Sequence, residues 1–306
     1  MATTISADEI RRVKGLGFLH NKGTDTFSAR VLTVNGKVTP KQLACVAEAA
    51  AAYASGDVTF TSRQTMEVQG VSLEHMEAFR AHLAQAGLEI GGTGPRVRPV
   101  VCCKGTTCQY GNIDTFALAE KIHQRFYTGY HGVQLPHKFK IAVGGCPNNC
   151  VKPDLNDLGV IGQCVPAYAS AVCVGCGTCA VEKVCPMGAA KRVGDKMQID
   201  EASCINCGRC VGRCPFDAVP TRTVGYRIFL GGYWGKRGRR GIPLPVIFTN
   251  AEDVLATVEK AILMYREQGK PGERFGLMIA RLGFDTVARE VLADAILARK
   301  SSIIGA

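Results

Sequence analysis

The sequence predicts an α+β protein: a compact N-terminal module, then a second module split by a cysteine-dense insertion. Three observations predict it. Strand-like and helix-like stretches follow a βαββα order through about the first ninety residues, the pattern of a small α+β unit. Two blocks of closely spaced cysteine interrupt what comes next. After those blocks the apolar residues return to helical periodicity.

Taken in order, Phe27–Val34 reads as a strand running into the turn Asn35-Gly36. Thr39 offers an N-cap with Pro40 at the first helical position, opening a helix to about Ala54. Val58–Val71 is strand-like, rich in Thr, Val and Phe. Leu73, Met76, Phe79 and Leu83 mark an amphipathic helix closed by Gly87. Gly91-Gly92-Thr93-Gly94-Pro95 then reads as a linker. In the second module Asp114 caps a helix whose apolar face carries Leu118, Ile122 and Phe126. Tyr226–Leu230 reads as a strand entering a Gly- and Arg-rich loop. Asn250 caps a helix with Val254, Val258, Ile262 and Tyr265 on one face, ended by Gly269, and two short helices follow. The expected domains are residues 1–92, then 93–167 together with 220–306, interrupted by 168–219.

Composition excludes several classes. At 306 residues, with 46% apolar and 21% charged side chains, the chain has ample material for a core and no bias toward disorder. The most apolar stretch, Leu43–Ala54, is short, alanine-rich and interrupted by Glu48, so no segment suits a bilayer. Met1–Lys14 is polar and unlike a signal peptide. Fifteen cysteines without an export signal argue for metal in a reducing cytoplasm rather than disulfides. The net charge of +11 comes without an aromatic-interleaved basic stretch, which argues against nucleic acid and for anionic cofactors and substrate.

The insertion reads Cys173-x2-Cys176-x2-Cys179-x5-Cys185-Pro186, then Cys204-x2-Cys207-x2-Cys210-x3-Cys214-Pro215. Three thiolates at this pitch hold three irons of a cubane, and the cysteine before proline ligates the other cluster of a bacterial two-cluster ferredoxin. Cys173, Cys176, Cys179 and Cys214 are therefore assigned to one [4Fe–4S] cluster, and Cys204, Cys207, Cys210 and Cys185 to a second. Zinc favours two separated C-x2-C pairs instead. Ahead of the insertion lie Cys102-Cys103-Lys104-Gly105-Thr106-Thr107-Cys108 and Gly144-Gly145-Cys146-Pro147-Asn148-Asn149-Cys150. They offer four thiolates in two short loops, the number a third cubane needs; zinc or buried thiols are the alternatives. Cys45 and Cys164 fall outside these sets and read as buried thiols. No G-x-G-x-x-G follows a strand, so no dinucleotide site is expected and electrons come from a partner.

Together these motifs resemble the siroheme-containing sulfite and nitrite reductases, whose C-x5-C and later C-x3-C hold a cubane with the last thiolate bridging to siroheme iron. Cys146-x3-Cys150 fits, which implies Cys150 as the bridge, beside Asn149. Cys102 gives the family's x5 spacing, whereas Cys103-Lys104-Gly105 matches its C-x-G order; Cys103 is favoured over Cys102. Thr61-Ser62-Arg63-Gln64-Thr65 resembles the segment whose arginine pairs with siroheme carboxylates, and Leu135-Pro136-His137-Lys138-Phe139-Lys140 the one whose lysines face substrate. Arg98 matches a substrate-binding arginine. Arg30 lies near another, although the register puts Leu32 at that place. Gly225–Gly232 resembles the strand packed beside the macrocycle, and the loop Lys236-Arg237-Gly238-Arg239-Arg240 could add cations for its carboxylates.

The inserted ferredoxin is similar to that of the catalytic subunit of anaerobic, assimilatory-type sulfite reductase. The resemblance implies a ferredoxin-like half-domain at the N-terminus, a siroheme and [4Fe–4S] domain after it, and six-electron reduction of sulfite to sulfide. Arg98, Lys138 and Lys140 would hold the dianion and relay protons. It further implies a ferredoxin or reductase subunit as donor, and a homodimer or larger homo-oligomer, since larger family members carry two such repeats. Nitrite reduction to ammonia and a non-catalytic iron–sulfur carrier are the competing expectations.

Overall fold

The computed structural model describes residues 5–305, so the first four positions of the polar Met1–Lys14 stretch lie outside the described residues. The chain divides into two compact units. One holds the chain through Val101, Ala119–Ile141 and everything from Lys260; the other holds Cys102–Leu118 and Ala142–Glu259.

The first unit opens with α1 (Ala7–Leu16), capped by Ser6, which accepts the Glu9 N–H at 3.2 Å. Then come β1 (Phe18–His20), β2 (Phe27–Val31), α2 (Pro40–Tyr53), β3 (Val58–Phe60), β4 (Met66–Val71) and α3 (Met76–Ala84). The strands form an antiparallel sheet in the order β1-β2-β4-β3. Phe27 and Val68 of the sheet share a core with Val46 and Ala49 of α2 and with Phe79 and Leu83 of α3. Thr39 and Gln42 close a capping box at the start of α2, each side chain bonding the other's backbone N–H. Asn35 and Gly36 make the expected turn, both with positive φ.

Three sequence expectations change here. The strand from Phe27 ends at Val31, and Val58–Val71 is two strands, parted by a turn in which Thr61 N–H meets the Thr65 carbonyl at 2.9 Å. Gly91 and Gly92 are buried rather than a free linker. Gly92 has φ 69°, and a Cβ there would stand 2.8 Å from the Pro99 ring, so only glycine fits.

Onward the chain runs through β5 (Val101–Cys102), α4 (Thr115–Ile122) with a π-turn at His123–Thr128, β6 (Ile141–Gly144), β7 (Leu158–Ala167), α5 (Ala180–Val184), β8 (Ala190–Val193), β9 (Lys196–Ile199), β10 (Thr221–Leu230), β11 (Ile242–Phe248), α6 (Ala251–Gln268), α7 (Phe275–Leu282), α8 (Phe284–Leu292) and α9 (Lys300–Gly305). The helices after Gly269 thus number three among the described residues, one more than expected. Asp114 and Asn250 act as N-caps, accepting from Ala117 N–H at 3.0 Å and Glu252 N–H at 2.8 Å.

A five-stranded sheet, in the order β11-β10-β7-β6-β5, organises the second unit. Strands β7 and β10 pair antiparallel from Leu158–Leu230 to Ala167–Thr221. Residues 168–220 leave and re-enter at that last pair, where the Ala169 N–H closes the neck on the Ala218 carbonyl at 2.8 Å.

Candidate functional site

Five cations from four separate segments line one cavity of about 400 Å³ in the first unit: Arg30, Arg63, Arg98, Lys138 and Lys140. Each is placed by local structure. Arg30 on β2 faces Glu67 on β4 in register, and its Nε and Nη2 donate to Glu67 Oε1 at 2.9 and 2.6 Å. Its Nη1 donates to the Gly92 carbonyl at 3.3 Å. Arg63 stands on the Thr61–Thr65 turn and donates from Nη2 to the Pro99 and Ile141 carbonyls at 2.7 and 3.3 Å.

Arg98, Lys138 and Lys140 are brought together by backbone pairing. The Arg98 N–H bonds the Phe139 carbonyl at 2.8 Å, and the Phe139 N–H bonds the Arg96 carbonyl at 3.1 Å. The Phe139 ring turns inward, its centroid 5.1 Å from Phe275 and 5.7 Å from Tyr265. Alternation along the extended chain therefore sends both lysines to the cavity side. Arg98 donates to the same Gly92 carbonyl as Arg30, while its Nε–H is buried with no hydrogen-bond partner among the described residues. Burial, and then the neighbouring Arg30 charge, lowers its pKa to about 10. Glu67 is the only carboxylate lining the cavity among the described residues. Such a wall favours a ligand with several anionic oxygens. Leu32, the alternative to Arg30, is buried in the core at 6% exposure.

In the second unit, Cys102 closes β5 and is 1% exposed, whereas Cys103 turns the other way. Cys103 Sγ accepts the Gly145 N–H at 3.1 Å, and its own N–H donates to the Val143 carbonyl at 3.1 Å. A Cβ on Gly105 would stand 2.6 Å from Thr115 and 2.8 Å from Gly145, so the two loops close only over glycine. Burial pushes the Cys146 thiol up, and the nearby sulfurs of Cys103, Cys150 and Cys108 push it further. These four cysteines therefore share one neighbourhood; Cys150 is the exposed member. Asn149, at φ 57°, anchors the loop by donating to Asp154 Oδ1 at 2.7 Å. The other Asp154 oxygen takes Arg240. Arg240, expected in a cofactor cradle, is thus ion-paired with Asp154. Lys236 and Arg237 are exposed on the loop closed by Tyr233 and Arg239.

Residues 168–219 hold two cysteine-lined cavities. One is lined by Cys173, Cys176, Cys179 and Cys214, the other by Cys185, Cys204, Cys207 and Cys210. The Met197 and Gly175 N–H groups hold the Cys173 thiol below its ordinary range. Burial opposes ionisation of Cys185, but N–H groups of Ala190, Met187, Ala189 and Gly188 outweigh it and lower its pKa. Cys210 has the reverse balance, pushed up to about 11 by burial. Among the described residues no three His, Cys, Asp or Glu side chains converge as a single ion requires. Thiolates spread around a void suit a polynuclear cluster better.

Sequence reasoning missed Glu67 and Gly92. The only available signal for Glu67 was its alternation opposite Arg30, readable once strand register is known. His123 is buried beside Tyr127, and the half-buried His137 accepts the Lys138 N–H through Nδ1 at 2.7 Å.

An α+β scaffold that carries a cation-walled cavity and cysteine loops fits the class of iron–sulfur proteins. The family model described as nitrite and sulphite reductase 4Fe-4S domain matches residues 93–296, and that for the nitrite/sulfite reductase ferredoxin-like half domain matches 20–86. The chain belongs to the nitrite and sulphite reductase family. The expected α+β class with an N-terminal ferredoxin-like half-domain is borne out. The coenzyme F420-dependent sulfite reductase of Methanocaldococcus jannaschii is 29% identical over 279 residues, 90% of this chain and 44% of that protein. An uncharacterised protein of the same organism is 31% identical over 246 residues, covering 80% and 84%. The chain thus spans under half of the first relative and most of the second. The solved structure of dissimilatory sulfite reductase I shares the fold at a TM-score of 0.70 and 20% identity, over 87% of this chain and 69% of that one.

Proposed function

We propose that this chain carries out the six-electron reduction of sulfite to sulfide with siroheme and three [4Fe–4S] clusters. The observation that carries the reading is the single cavity where five half-buried cations meet one carboxylate, with the Arg98 Nε–H buried and without a hydrogen-bond partner among the described residues. Gathering that much like charge is costly unless a polyanion is to be bound. Arg63, with Lys236 and Arg237 from the exposed loop, would hold siroheme carboxylates. Cys103, Cys108, Cys146 and Cys150 would hold the cubane coupled to it, and their shared neighbourhood supports Cys103 over Cys102. The exposed Cys150, steadied through Asn149, would be the bridging thiolate.

When bound, siroheme supplies the metal at which sulfur is reduced. The protein's own part is electrostatic and protonic. Arg98, Lys138 and Lys140 hold the dianion, and the lysine Nζ groups give protons to oxygens that leave as water. Arg30, fixed by Glu67, sets the position of Arg98 through the shared Gly92 carbonyl. The two cavities of residues 168–219 would hold ferredoxin-type clusters that pass single electrons inward from a ferredoxin or reductase subunit. A homodimer or higher homo-oligomer would complete the assembly.

The test is an absorption spectrum and iron count on protein purified without air, then turnover with reduced viologen on sulfite and on nitrite. A macrocycle band in the red, about twelve cluster irons and faster sulfite turnover are expected. Clusters without the red band would make the chain an electron carrier, and faster nitrite turnover would make it a nitrite reductase.

A further inference from the structure

We propose that the two centres of residues 168–219 work in a fixed order, with electrons entering at the Cys173, Cys176, Cys179, Cys214 centre and leaving through the Cys185, Cys204, Cys207, Cys210 centre, across a bridge of β7 and Asn112, to the Cys103, Cys108, Cys146, Cys150 set. This rests on the cofactor reading above and adds direction to it.

The bridge is one strand face. Gly162 and Cys164 of β7 are two residues apart, so they lie on the same side of the strand, about 7 Å from each other. At Gly162 a Cβ would stand 2.4 Å from the Gly145 carbonyl and 2.8 Å from Ile113. Gly145 is the residue that donates to Cys103 Sγ and precedes Cys146. At Cys164 the strand meets the other centre. Its N–H donates to the Asn206 carbonyl at 2.8 Å, and it forms a β-bridge with Cys207. A Cβ on Gly208, between Cys207 and Cys210, would stand 2.2 Å from Cys164 Sγ. Glycine with φ 75° is therefore what allows this loop to seat on the strand.

Asn112 touches both sides. Its N–H donates to the Gly145 carbonyl at 2.8 Å, and its Oδ1 lies 3.8 Å from the same Gly208 position. Its Nδ2 is buried with no hydrogen-bond partner among the described residues, a donor available to a cluster sulfur.

The Cys173 centre is built against different neighbours. Cys173 Sγ accepts the Met197 N–H of β9 at 3.5 Å, and a Cβ on Gly175 would stand 1.9 Å from the Asp195 carbonyl in the β8–β9 turn. Val174 and Phe216, which line its cavity, are 60% and 47% exposed. Electron tunnelling weakens steeply with separation. The centre seated on β7 is therefore the inner one, and the centre built against the β8–β9 turn is the outer. Each step moves one electron. The donor, an iron–sulfur or flavin protein, would be oxidised as the outer centre is reduced; that centre would be reoxidised as the inner one is reduced, and the inner one as the Cys103, Cys108, Cys146, Cys150 set takes the electron. No bond forms or breaks.

The experiment is electron paramagnetic resonance on the dithionite-reduced holoprotein and on Cys207→Ser, Cys176→Ser and Asn112→Leu. Magnetic broadening between the Cys103 set and a ferredoxin-type centre should vanish in Cys207→Ser and persist in Cys176→Ser. The opposite pattern, or broadening unchanged in both, overturns the order. Asn112→Leu should keep its iron and lower the midpoint potential of the inner centre alone; equal shifts of both centres, or none, overturn the bridge. Wild-type protein lacking about eight ferredoxin-type irons overturns the cofactor reading itself. A full iron complement with broadening tied to Cys176 overturns only the order.

Discussion

The cysteine centres and the cationic cavity are assembled in opposite ways. Each set of residues 168–219 takes three of its four cysteines from one short loop, and the Cys103 set takes two from each of two loops, with geometry set by neighbouring N–H groups and close-packed glycines. The cavity instead draws Arg30, Arg63, Arg98 and the Lys138–Lys140 pair from distant segments, joined by strand register and backbone pairing. A cavity gathered from four places forms only when the whole first unit is folded.

The comparison can be broken most severely at Cys150. Cys150→Ser should reduce sulfite turnover by more than about a hundredfold while the resonance signals of residues 168–219 persist. Retained turnover would show that the cavity does not depend on that cysteine loop. Next come Lys138→Met and Lys140→Met, each expected to lower kcat about a hundredfold with an unchanged visible spectrum. Spectral loss would reassign the lysines from substrate to cofactor.

Arg98→Met should act on stability with the opposite sign. Burial and Arg30 depress the Arg98 pKa to about 10, below its unfolded value. The folded state therefore carries a cost at all lower pH, relieved only as pH rises through about 10. Removing the charge should stabilise the cofactor-free protein by about 1 kcal/mol at neutral pH while abolishing protection by sulfite, as thermal melting would show. Arg237→Ala should do least: its exposed guanidinium supports no more than about a fivefold change in siroheme retention. A larger loss would mean the loop is ordered by the cofactor.

What the sequence revealed follows the same division. Caps and turns were legible because their signals are local: Thr39 with Pro40, Asp114, Asn250 and Asn35-Gly36 all act where expected. The cysteine spacing was legible for the same reason. The break at Thr61–Thr65 was hidden because Gln64 takes the left-handed conformation without a Gly, Asn or Pro to announce it. Strand β11 was hidden by Pro243 and Pro245, which it tolerates as the edge of its sheet. The Arg30–Glu67 pair depends on the register of two strands far apart in sequence. Only the resemblance pointed to the arginines and lysines; their company with Glu67 and Gly92 needed coordinates.

One carbonyl, that of Gly92, receives both Arg30 and Arg98. Rotating a single peptide plane would loosen both guanidinium groups at once, but unequally, because Arg30 keeps its two bonds to Glu67. A bulkier residue at 92, though it need never meet a ligand, would therefore displace Arg98 first and leave Arg30 on its carboxylate.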